Sequence, residues 1–227
     1  LYGVRSEAGA ASSNDITLTA GSVNGSAYGA YAANDVTDNT VSVTISGAVS
    51  GDFNGADSAA GKVENNEVTL SANNVKGSAN GAKAFDDVSN NEVELNVTGT
   101  IGGDLYGVRS EAGAASSNDI TLTAGSVNGS AYGAYAANDV TDNTVSVTIS
   151  GAVSGDFSGA ASANGKTASN NVTFTAANAG GNVNGAYASN DATGNTVSVT
   201  ISGAVSGDFN GAASANGKAE NNDVTLS

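Results

Sequence analysis

The stretch VSGDFNGA at Val49–Ala56 returns unchanged at Val205–Ala212 and returns as VSGDFSGA at Val153–Ala160. Apart from one aspartate it contains no residue type that commonly performs catalysis. A segment that recurs in a fixed register indicates a repeated structural unit, because each copy then meets the same neighbours. The repeat is therefore the first guide to the fold.

Two positions mark the repeat along the whole chain. A glycine that follows Tyr, Asn or Ser recurs with a constant spacing of 26 residues: Gly3, Gly29, Gly55, Gly81, Gly107, Gly133, Gly159, Gly185 and Gly211. An asparagine followed two residues later by Val or Ile recurs at spacings that alternate between 25 and 27: Asn14, Asn39, Asn66, Asn91, Asn118, Asn143, Asn170, Asn195 and Asn222. Both series indicate one short unit copied many times.

The period divides residues 1–227 into nine units that we expect to form a single repetitive domain. The units are 1–26, 27–52, 53–78, 79–104, 105–130, 131–156, 157–182, 183–208 and the incomplete 209–227. Leu1–Phe53 is identical to Leu105–Phe157, which indicates that blocks of several units have been copied. Both ends of the chain lie inside a unit, so we expect a fragment of a longer array.

Within a unit, apolar and polar residues alternate with a period of two. In NTVSVTISG, at Asn39–Gly47, Val and Ile fall on one face and Thr and Ser on the other, which is typical of a half-buried strand. The next segment is expected to send Val49 and Phe53 inward, with glycines where the backbone bends or approaches closely. The polar stretch at 57–66, DSAAGKVENN, is typical of a turn or loop. No unit shows a useful helical period.

A unit of this size has too few apolar side chains to form a core alone, so each unit must be covered by the next. We therefore predict an all-β protein: a parallel β-solenoid of about nine coils of 26 residues, stacked about 4.8 Å apart. Stacking places the nine asparagines above one another, where their amides can hydrogen-bond from coil to coil.

A coil of 52 residues is the alternative, because odd and even units differ. It would stack Asp52, Asp104, Asp156 and Asp208 directly, at a cost of about 1 kcal/mol per pair in water and about 3 kcal/mol at an effective dielectric constant near 20. A 26-residue coil instead interleaves Ser26, Ser78, Ser130 and Asn182 between these charges. It also alternates large with small interior residues, such as Phe53 with Ala27 and Ala79, so the 26-residue coil is favoured.

Composition excludes several classes of function. With 22 acidic and 7 basic residues and a formal charge of −15, the chain is expected to repel nucleic acid. It has no His to activate a hydroxyl and no Cys, so we predict that it is not an enzyme and carries no structural zinc. It contains no apolar run long enough to cross a bilayer, so we expect no membrane segment in this fragment.

The best candidate for a metal site is a departure from the repeat. Directly after the marker asparagine, carboxylates follow one another in consecutive units at Glu67, Glu92 and Asp119, and Glu94 lies two residues further along the same face. Clustered carboxylate oxygens are ligands that Ca²⁺ prefers, although a flat strand face supplies few of them from one direction. Solvated surface charge is the competing interpretation, so we expect no cofactor, with Ca²⁺ as the alternative.

Two further sets of outward residues suggest binding. Thr-x-Thr rows such as Thr17–Thr19 resemble the ice-binding faces of antifreeze solenoids, although Glu94 and Asn96 interrupt them. Exposed Thr and Ser are also what any solvated strand favours. Tyrosines near the repeat glycine either stack on sugar rings or simply cover the solenoid surface: Tyr28, Tyr31, Tyr132, Tyr135 and Tyr187.

Recurring motifs carry a family resemblance: GSVNGSAYGAYA at Gly21–Ala32, GAVSGDFNGA at Gly47–Ala56 and GTIGGDLYGV at Gly99–Val108, each followed by a strand of the form NNxVxLxxxG. They resemble the repeat arrays in passenger regions of Gram-negative autotransporter adhesins and related surface fibres. The resemblance covers all nine units. It implies right-handed coiling, export to the cell surface and a role as a stiff stalk or adhesive rod.

The leading hypothesis is thus an extracellular or cell-surface structural and adhesive protein that acts as a spacer, stalk or fibre subunit. Its expected partners are other copies, joined end to end, or the surface of a host or neighbouring cell. A binding module stabilised by calcium or directed at ice is the alternative, and a polysaccharide-active β-helix enzyme is less favoured. An enzyme would need a groove built by irregular insertions, which the constant 26-residue spacing does not provide.

Overall fold

The computed structural model describes residues 1–227 and contains strands, turns and bends but no helix. The strands are β1 (Tyr2–Ser6), β2 (Ala11–Ser12), β3 (Asp15–Ala20), β4 (Ala27–Ala32), β5 (Val36–Thr37), β6 (Thr40–Val49), β7 (Phe53–Ser58), β8 (Val63–Glu64), β9 (Glu67–Val75), β10 (Ala79–Ala84), β11 (Val88–Ser89), β12 (Glu92–Ile101), β13 (Leu105–Ser110), β14 (Ala115–Ser116), β15 (Asp119–Val127), β16 (Ala131–Ala136), β17 (Val140–Thr141), β18 (Thr144–Val153), β19 (Phe157–Ser162), β20 (Thr167–Ala168), β21 (Asn171–Ala179), β22 (Val183–Ala188), β23 (Ala192–Thr193), β24 (Thr196–Ile201), β25 (Phe209–Ser214), β26 (Ala219–Glu220) and β27 (Asp223–Leu226).

The strands form three parallel sheets of nine strands each, and every coil contributes one strand to each sheet. Sheet 1 begins with β1 and takes every third strand to β25, sheet 2 runs likewise from β2 to β26, and sheet 3 from β3 to β27. In sheet 1, Tyr2 pairs with Tyr28 and Ala79 with Leu105, which are 26 residues apart. The predicted all-β solenoid with a 26-residue coil is therefore confirmed, and the 52-residue coil is wrong. Right-handed coiling stays a prediction.

The alternation of 25 and 27 residues has a structural cause in sheet 3. From β6 to β21, its strands alternate between ten and nine residues. Where β6 pairs with β9, the register shifts between Ile45 and Ala48, so that Ile45 opposes Ala72 but Val49 opposes Val75. The longer strand therefore absorbs one residue in a bulge and restores the 26-residue offset before the chain enters sheet 1.

The polar stretch at 57–66, predicted as a loop, is only partly one, and the prediction needs correction. Asp57 and Ser58 are the last residues of β7, and Val63–Glu64 form β8 in sheet 2. Val63 is fully buried and pairs with Val36 and Val88 in the neighbouring coils. A strand of two residues is too short to show an alternating pattern, so this sheet left no recognisable signal in one unit.

Large and small side chains alternate along the inner columns. Phe53 lies between Ala27 and Ala79, and all three are fully buried. The same column continues through Leu105, Ala131, Phe157, Val183 and Phe209. A small side chain in the next coil leaves room for each large one, so that large and small side chains interlock in the closed interior. The result is one continuous core of 51 buried residues.

The repeat glycines occupy the tightest contact between sheet 1 and sheet 3. A Cβ atom placed on Gly29 would lie 2.1 Å from Cγ1 of Val41 and 2.7 Å from the carbonyl oxygen of Gly55 in the next coil. Both distances are far below van der Waals contact. Glycine is therefore required here by space, since any side chain would push the two sheets apart.

The nine marker asparagines form a continuous side-chain ladder along the solenoid. In each of the first eight, Nδ2 donates to Oδ1 of the asparagine in the next coil, at 2.8–3.0 Å. Asn118, for example, also donates to the carbonyl oxygens of Ser116 and Val88, and its Oδ1 accepts from the backbone N–H of Asn91. These side chains satisfy buried backbone groups at the corner between sheets 2 and 3.

The residue before each ladder asparagine turns the corner in a left-handed conformation. Its φ is 55–59° at Ser13, Asp38, Asn65, Asn90, Ser117, Asp142, Ser169 and Asn221, and 63° at Gly194. Glycine, Asn and Asp adopt this region more readily than other residues, and branched apolar residues rarely do. The corner therefore explains why this position is Ser, Asp, Asn or Gly in every unit.

Replacing Gly133 by alanine should destabilise the solenoid by about 1–3 kcal/mol, because the new Cβ would overpack a closed contact. That atom would lie 2.2 Å from Cγ1 of Val145 and 2.5 Å from the carbonyl oxygen of Gly159. Urea unfolding followed by far-UV circular dichroism measures the effect. Gly21→Ala is the matched control, because nothing lies within 4 Å of its Cβ position. Equal stabilities of the two variants would contradict the close-contact explanation.

Replacing Asn118 by alanine should cost about 2–4 kcal/mol, because several buried polar groups lose their partners together. The backbone N–H and Nδ2 of Asn91 lose an acceptor, and the carbonyl of Val88 loses a donor. The control is Asn138→Ala, which removes an exposed coil-to-coil hydrogen bond to the carbonyl of Ala112. The same urea measurement should show a much smaller change for the control, and similar losses would argue against a role for burial.

Candidate binding face on sheet 1

The outward face of sheet 1 is the part of the molecule where side-chain chemistry varies most from coil to coil. Two columns run along it. The first column is Tyr2, Tyr28, Asn54, Asn80, Tyr106, Tyr132, Ser158, Asn184 and Asn210. The second is Arg5, Tyr31, Asp57, Lys83, Arg109, Tyr135, Ala161, Tyr187 and Ala213. Because its side chains differ from coil to coil, this face can offer a ligand a binding site at one particular coil. A face with identical coils would offer the same contacts along its whole length.

Three tyrosines form the first tyrosine cluster, defined as Tyr2, Tyr28 and Tyr31. The rings of Tyr2 and Tyr28 are stacked with centroids 4.8 Å apart and planes within 4°. Tyr31 meets both rings edge-on, at 6.0 and 5.7 Å. The guanidinium of Arg5 lies 4.7 Å from the centre of the Tyr2 ring. The coil spacing thus matches the separation that stacked aromatic rings prefer.

The second tyrosine cluster, Tyr106, Tyr132 and Tyr135, repeats this geometry four coils further along. Tyr106 and Tyr132 are stacked at 4.9 Å with planes within 8°, and Tyr135 meets Tyr132 edge-on at 5.4 Å. Arg109 lies 4.9 Å from the centre of the Tyr106 ring. Burial raises the pKa of the Tyr106 hydroxyl above its usual range, with the charge of Arg109 opposing the shift. This hydroxyl therefore stays neutral.

Beyond the first cluster, a polar network fills the next two coils. Asn54 donates to the carboxylate of Asp57 at 3.1 Å, and Asn80 donates to Oδ1 of Asn54 at 2.8 Å. Asp57 is only 5% exposed. Burial raises the pKa of its carboxyl, while the charge of Lys83 acts in the opposite direction. The surface next to Tyr28 is therefore occupied by the protein's own side chains.

Beyond the second cluster the surface is open. Ser158 and Ala161 take the places that Asn54 and Asp57 hold after the first cluster, and a depression of about 400 Å³ lies there. Its walls include Tyr132, Tyr135 and Tyr187, together with Asp156, Ser158, Asn182 and Asn184. We call it the coil 7 depression, after the coil that contains Ser158 and Ala161. It combines aromatic rings with several polar groups, which is typical of ligand sites.

The structure places the predicted acidic group on the outward face of sheet 3. Glu67, Glu92 and Asp119 occupy paired positions in three consecutive strands, and Glu94 pairs with Thr121 beside them. Glu92, Glu94 and Asp119 line a shallow depression of about 200 Å³. No group of three or more acidic side chains has the geometry to hold a metal ion. The structure thus shows no preformed ligand set, and calcium binding stays a prediction.

The Thr and Ser rows also lie on this face of sheet 3, where the strands pair in register. Thr17 opposes Ser42, and Thr19 opposes Thr44. In the fourth coil Glu94 opposes Thr69 and Asn96 opposes Ser71, so the rows are interrupted there, as the sequence indicates. Ice binding by this face stays a prediction.

Seven aspartates have a structural role that sequence reasoning missed. Each accepts a hydrogen bond from a backbone N–H in the next coil, at 2.7–3.0 Å. They are Asp35, Asp52, Asp87, Asp104, Asp139, Asp156 and Asp191. The signal in the sequence was their recurrence every 52 residues in two separate series. Much of the negative charge of the chain therefore stabilises turns.

Comparisons with protein-family models, curated proteins and solved structures find no match to this chain. The chain forms no helix of the length and apolar character needed to cross a membrane.

The variant Asp57→Asn should be more stable than the parent protein at neutral pH but not at acidic pH. Burial raises the pKa of Asp57 in the folded protein above its ordinary value of 3.8, so the unfolded chain releases this proton first and the parent loses stability as the pH rises above that value. The variant has no proton to lose at this position. Urea unfolding at about pH 3 and about pH 7 should show a relative gain only at the higher pH.

The exposed Asp223, changed to asparagine, controls for the loss of one negative charge. A relative gain for Asp57→Asn that is the same at both pH values would contradict the role assigned to burial of its carboxylate.

Proposed function

We propose that this chain is part of an extracellular structural and adhesive protein, in which it acts as a rigid spacer, stalk or fibre subunit. The observation that carries the proposal is that all three sheets run through nine coils with the same connections throughout. Eight steps of about 4.8 Å give a rod roughly 38 Å long. The resemblance of the repeats to autotransporter passenger arrays supports the same role and an extracellular or cell-surface location.

The hydrogen-bond pattern supports stiffness. Neighbouring strands in every sheet belong to successive coils, so the sheet hydrogen bonds run along the rod. The asparagine ladder adds side-chain hydrogen bonds in the same direction, for example from Asn91 to Asn118 at 3.0 Å. Stretching or bending the rod would have to break many of these bonds at once. This cooperativity gives cross-β stacks their stability.

End-to-end self-association is part of the proposal because an open strand edge can pair with a further strand. The strands β1–β3 and β25–β27 each have a paired neighbour on one side only. Val224 and Leu226 in the last coil are 38% and 39% exposed. A further coil of the same repeat, from this chain or from another copy, would pair with these strands and cover these side chains. Assembly in this direction would lengthen the rod without changing its cross-section.

The surface supports a role outside nucleic-acid metabolism. The formal charge of −15 would repel phosphate backbones, and the chain has no Cys or Met that oxidation could damage. An acidic and repetitive surface keeps long rods from aggregating sideways. The adhesive partner that we propose is the surface of a host or neighbouring cell.

Small-angle X-ray scattering together with negative-stain electron microscopy tests the proposal. We expect scattering from a stiff particle roughly 38 Å long at low concentration and filaments of constant width at high concentration. The N–H groups of Asp223, in β27, and of Ser227, directly after it, donate to the previous coil, so the N–H of Leu226 points away from that coil. Leu226→Pro should therefore block filament growth without breaking a bond within the rod.

The matched control for this variant is Thr123→Ala, on the side of an inner coil. It should form filaments like the parent. Scattering from a flexible particle would overturn the rod, and filaments that form equally well with Leu226→Pro would overturn end-to-end association.

A further inference from the structure

The geometry points to a binding site for a neutral pyranose sugar in the coil 7 depression, stacked on Tyr132. The depression has a volume of about 400 Å³, which is within the range of small-ligand sites. Three features support the assignment: an aromatic stack that ends there, polar groups without partners around it, and a filled counterpart elsewhere in the chain.

The aromatic stack ends at Tyr132. One face of its ring is covered by Tyr106, with the centroids 4.9 Å apart. The next residue in the same column is Ser158, which has no ring, and both residues line the depression. The position that a third ring would occupy is therefore empty. A pyranose ring placed there would lay its C–H face against the electron-rich face of Tyr132.

Polar groups around this position remain free to bind hydroxyls. Asp156 uses Oδ1 to accept from the backbone N–H of Asn182 at 2.7 Å, and its other carboxylate oxygen makes no hydrogen bond within the protein. Asn182 and Asn184 use their Oδ1 atoms as acceptors, from Asp208 and Asn210, so their Nδ2 groups are available as donors. A carboxylate acceptor beside amide donors is suited to neighbouring sugar hydroxyls, each of which both donates and accepts.

The chain contains its own counterpart without a depression. Leu1–Phe53 is identical to Leu105–Phe157, so both tyrosine clusters lie within blocks of the same sequence. The copies then differ on the outward face of sheet 1. Asn54 and Asp57 fill the space beside Tyr28 and are hydrogen-bonded to each other, whereas Ser158 and Ala161 leave the space beside Tyr132 open. Aromatic stacking alone therefore does not create the site; the small side chains of coil 7 do.

The charges around the depression favour an uncharged sugar as the ligand. Asp156 lines the depression, no basic residue lines it, and the whole chain carries a formal charge of −15. A phosphorylated or carboxylated ligand would be repelled, and its charge would find no partner. Tyr187, which is 37% exposed on the far side of Ala161, offers a second ring to the same ligand.

This site would give the proposed rod an adhesive specificity for glycans, and the inference rests on the proposed function only in that respect. The two can fail separately, because scattering reports the shape of the particle whereas ligand titration reports the depression.

Saturation-transfer difference NMR of the 227-residue chain with methyl glycosides tests the inference. The probes are the methyl glycosides of glucose, galactose, mannose and N-acetylglucosamine, with adenosine as an aromatic ligand that is not a pyranose. We expect at least one glycoside to bind with a dissociation constant on the order of 1 mM, which is typical of a small ligand with one stacking contact. Adenosine should bind more weakly or not at all.

Two variants close the depression in different ways. The triple variant Ser158→Asn, Ala161→Asp, Tyr187→Lys recreates the face that follows the first tyrosine cluster, so its side chains already coexist in this fold. Ser158→Tyr instead continues the stack with a protein ring, as Tyr132 continues from Tyr106. Both should weaken binding by about tenfold or more, which corresponds to about 1.4 kcal/mol. Thr123→Ala, on sheet 3, should bind like the parent.

Far-UV circular dichroism shows whether each variant keeps the strand signal of the parent, and either variant alone suffices if the other does not fold. The inference is overturned if no glycoside binds, if binding survives closure of the depression in a folded variant, or if adenosine binds while the glycosides do not.

Discussion

The whole structure depends on one constraint: each side chain lies directly above the side chain at the same position of the next coil, about 4.8 Å away. A column is stable only if its residues tolerate such a neighbour. Asparagine satisfies this condition with itself, since its amide both donates and accepts, as between Asn91 and Asn118. Inside the closed core and at the turns, other columns alternate: Phe53 lies beside the smaller Ala79, and Asp52 lies beside the neutral Ser78. The restricted composition of the chain follows from this rule.

Much of the fold could be predicted because this rule produces periodic patterns in the sequence. The coil length followed from the glycine spacing, and the electrostatic argument about Asp52 correctly favoured the shorter coil, since Ser78 does lie between it and Asp104. Sheet 2 could not be predicted in the same way. Its strands have two residues each, as in Val63–Glu64, and two residues cannot show an alternation. The left-handed corner was equally hidden, because Ser, Asp and Asn before the ladder are typical of many turns.

The candidate site was harder to predict than the fold, for a physical reason. Tyr132 and Tyr135 could be identified as stacking residues from their chemistry alone. The depression beside them exists because Ser158 and Ala161 are small, and a small residue has no distinctive chemistry in a sequence. The effect of these small residues appears only in the stacked structure, where they leave a depression next to an aromatic ring. The available signal was the end of the identical block at Phe157, directly before the two copies differ.

The bulge in alternate strands of sheet 3 limits how such an array can change its length. A ten-residue strand such as β6 lies beside a nine-residue strand such as β9, and a one-residue shift between Ile45 and Ala48 compensates for the difference. Adding or removing an even number of units preserves the alternation of strand lengths, whereas a single unit would bring two strands of equal length together. The identical blocks in this chain are offset by 104 residues, which is four units. The duplication seen here therefore keeps the alternation intact while it lengthens the stack.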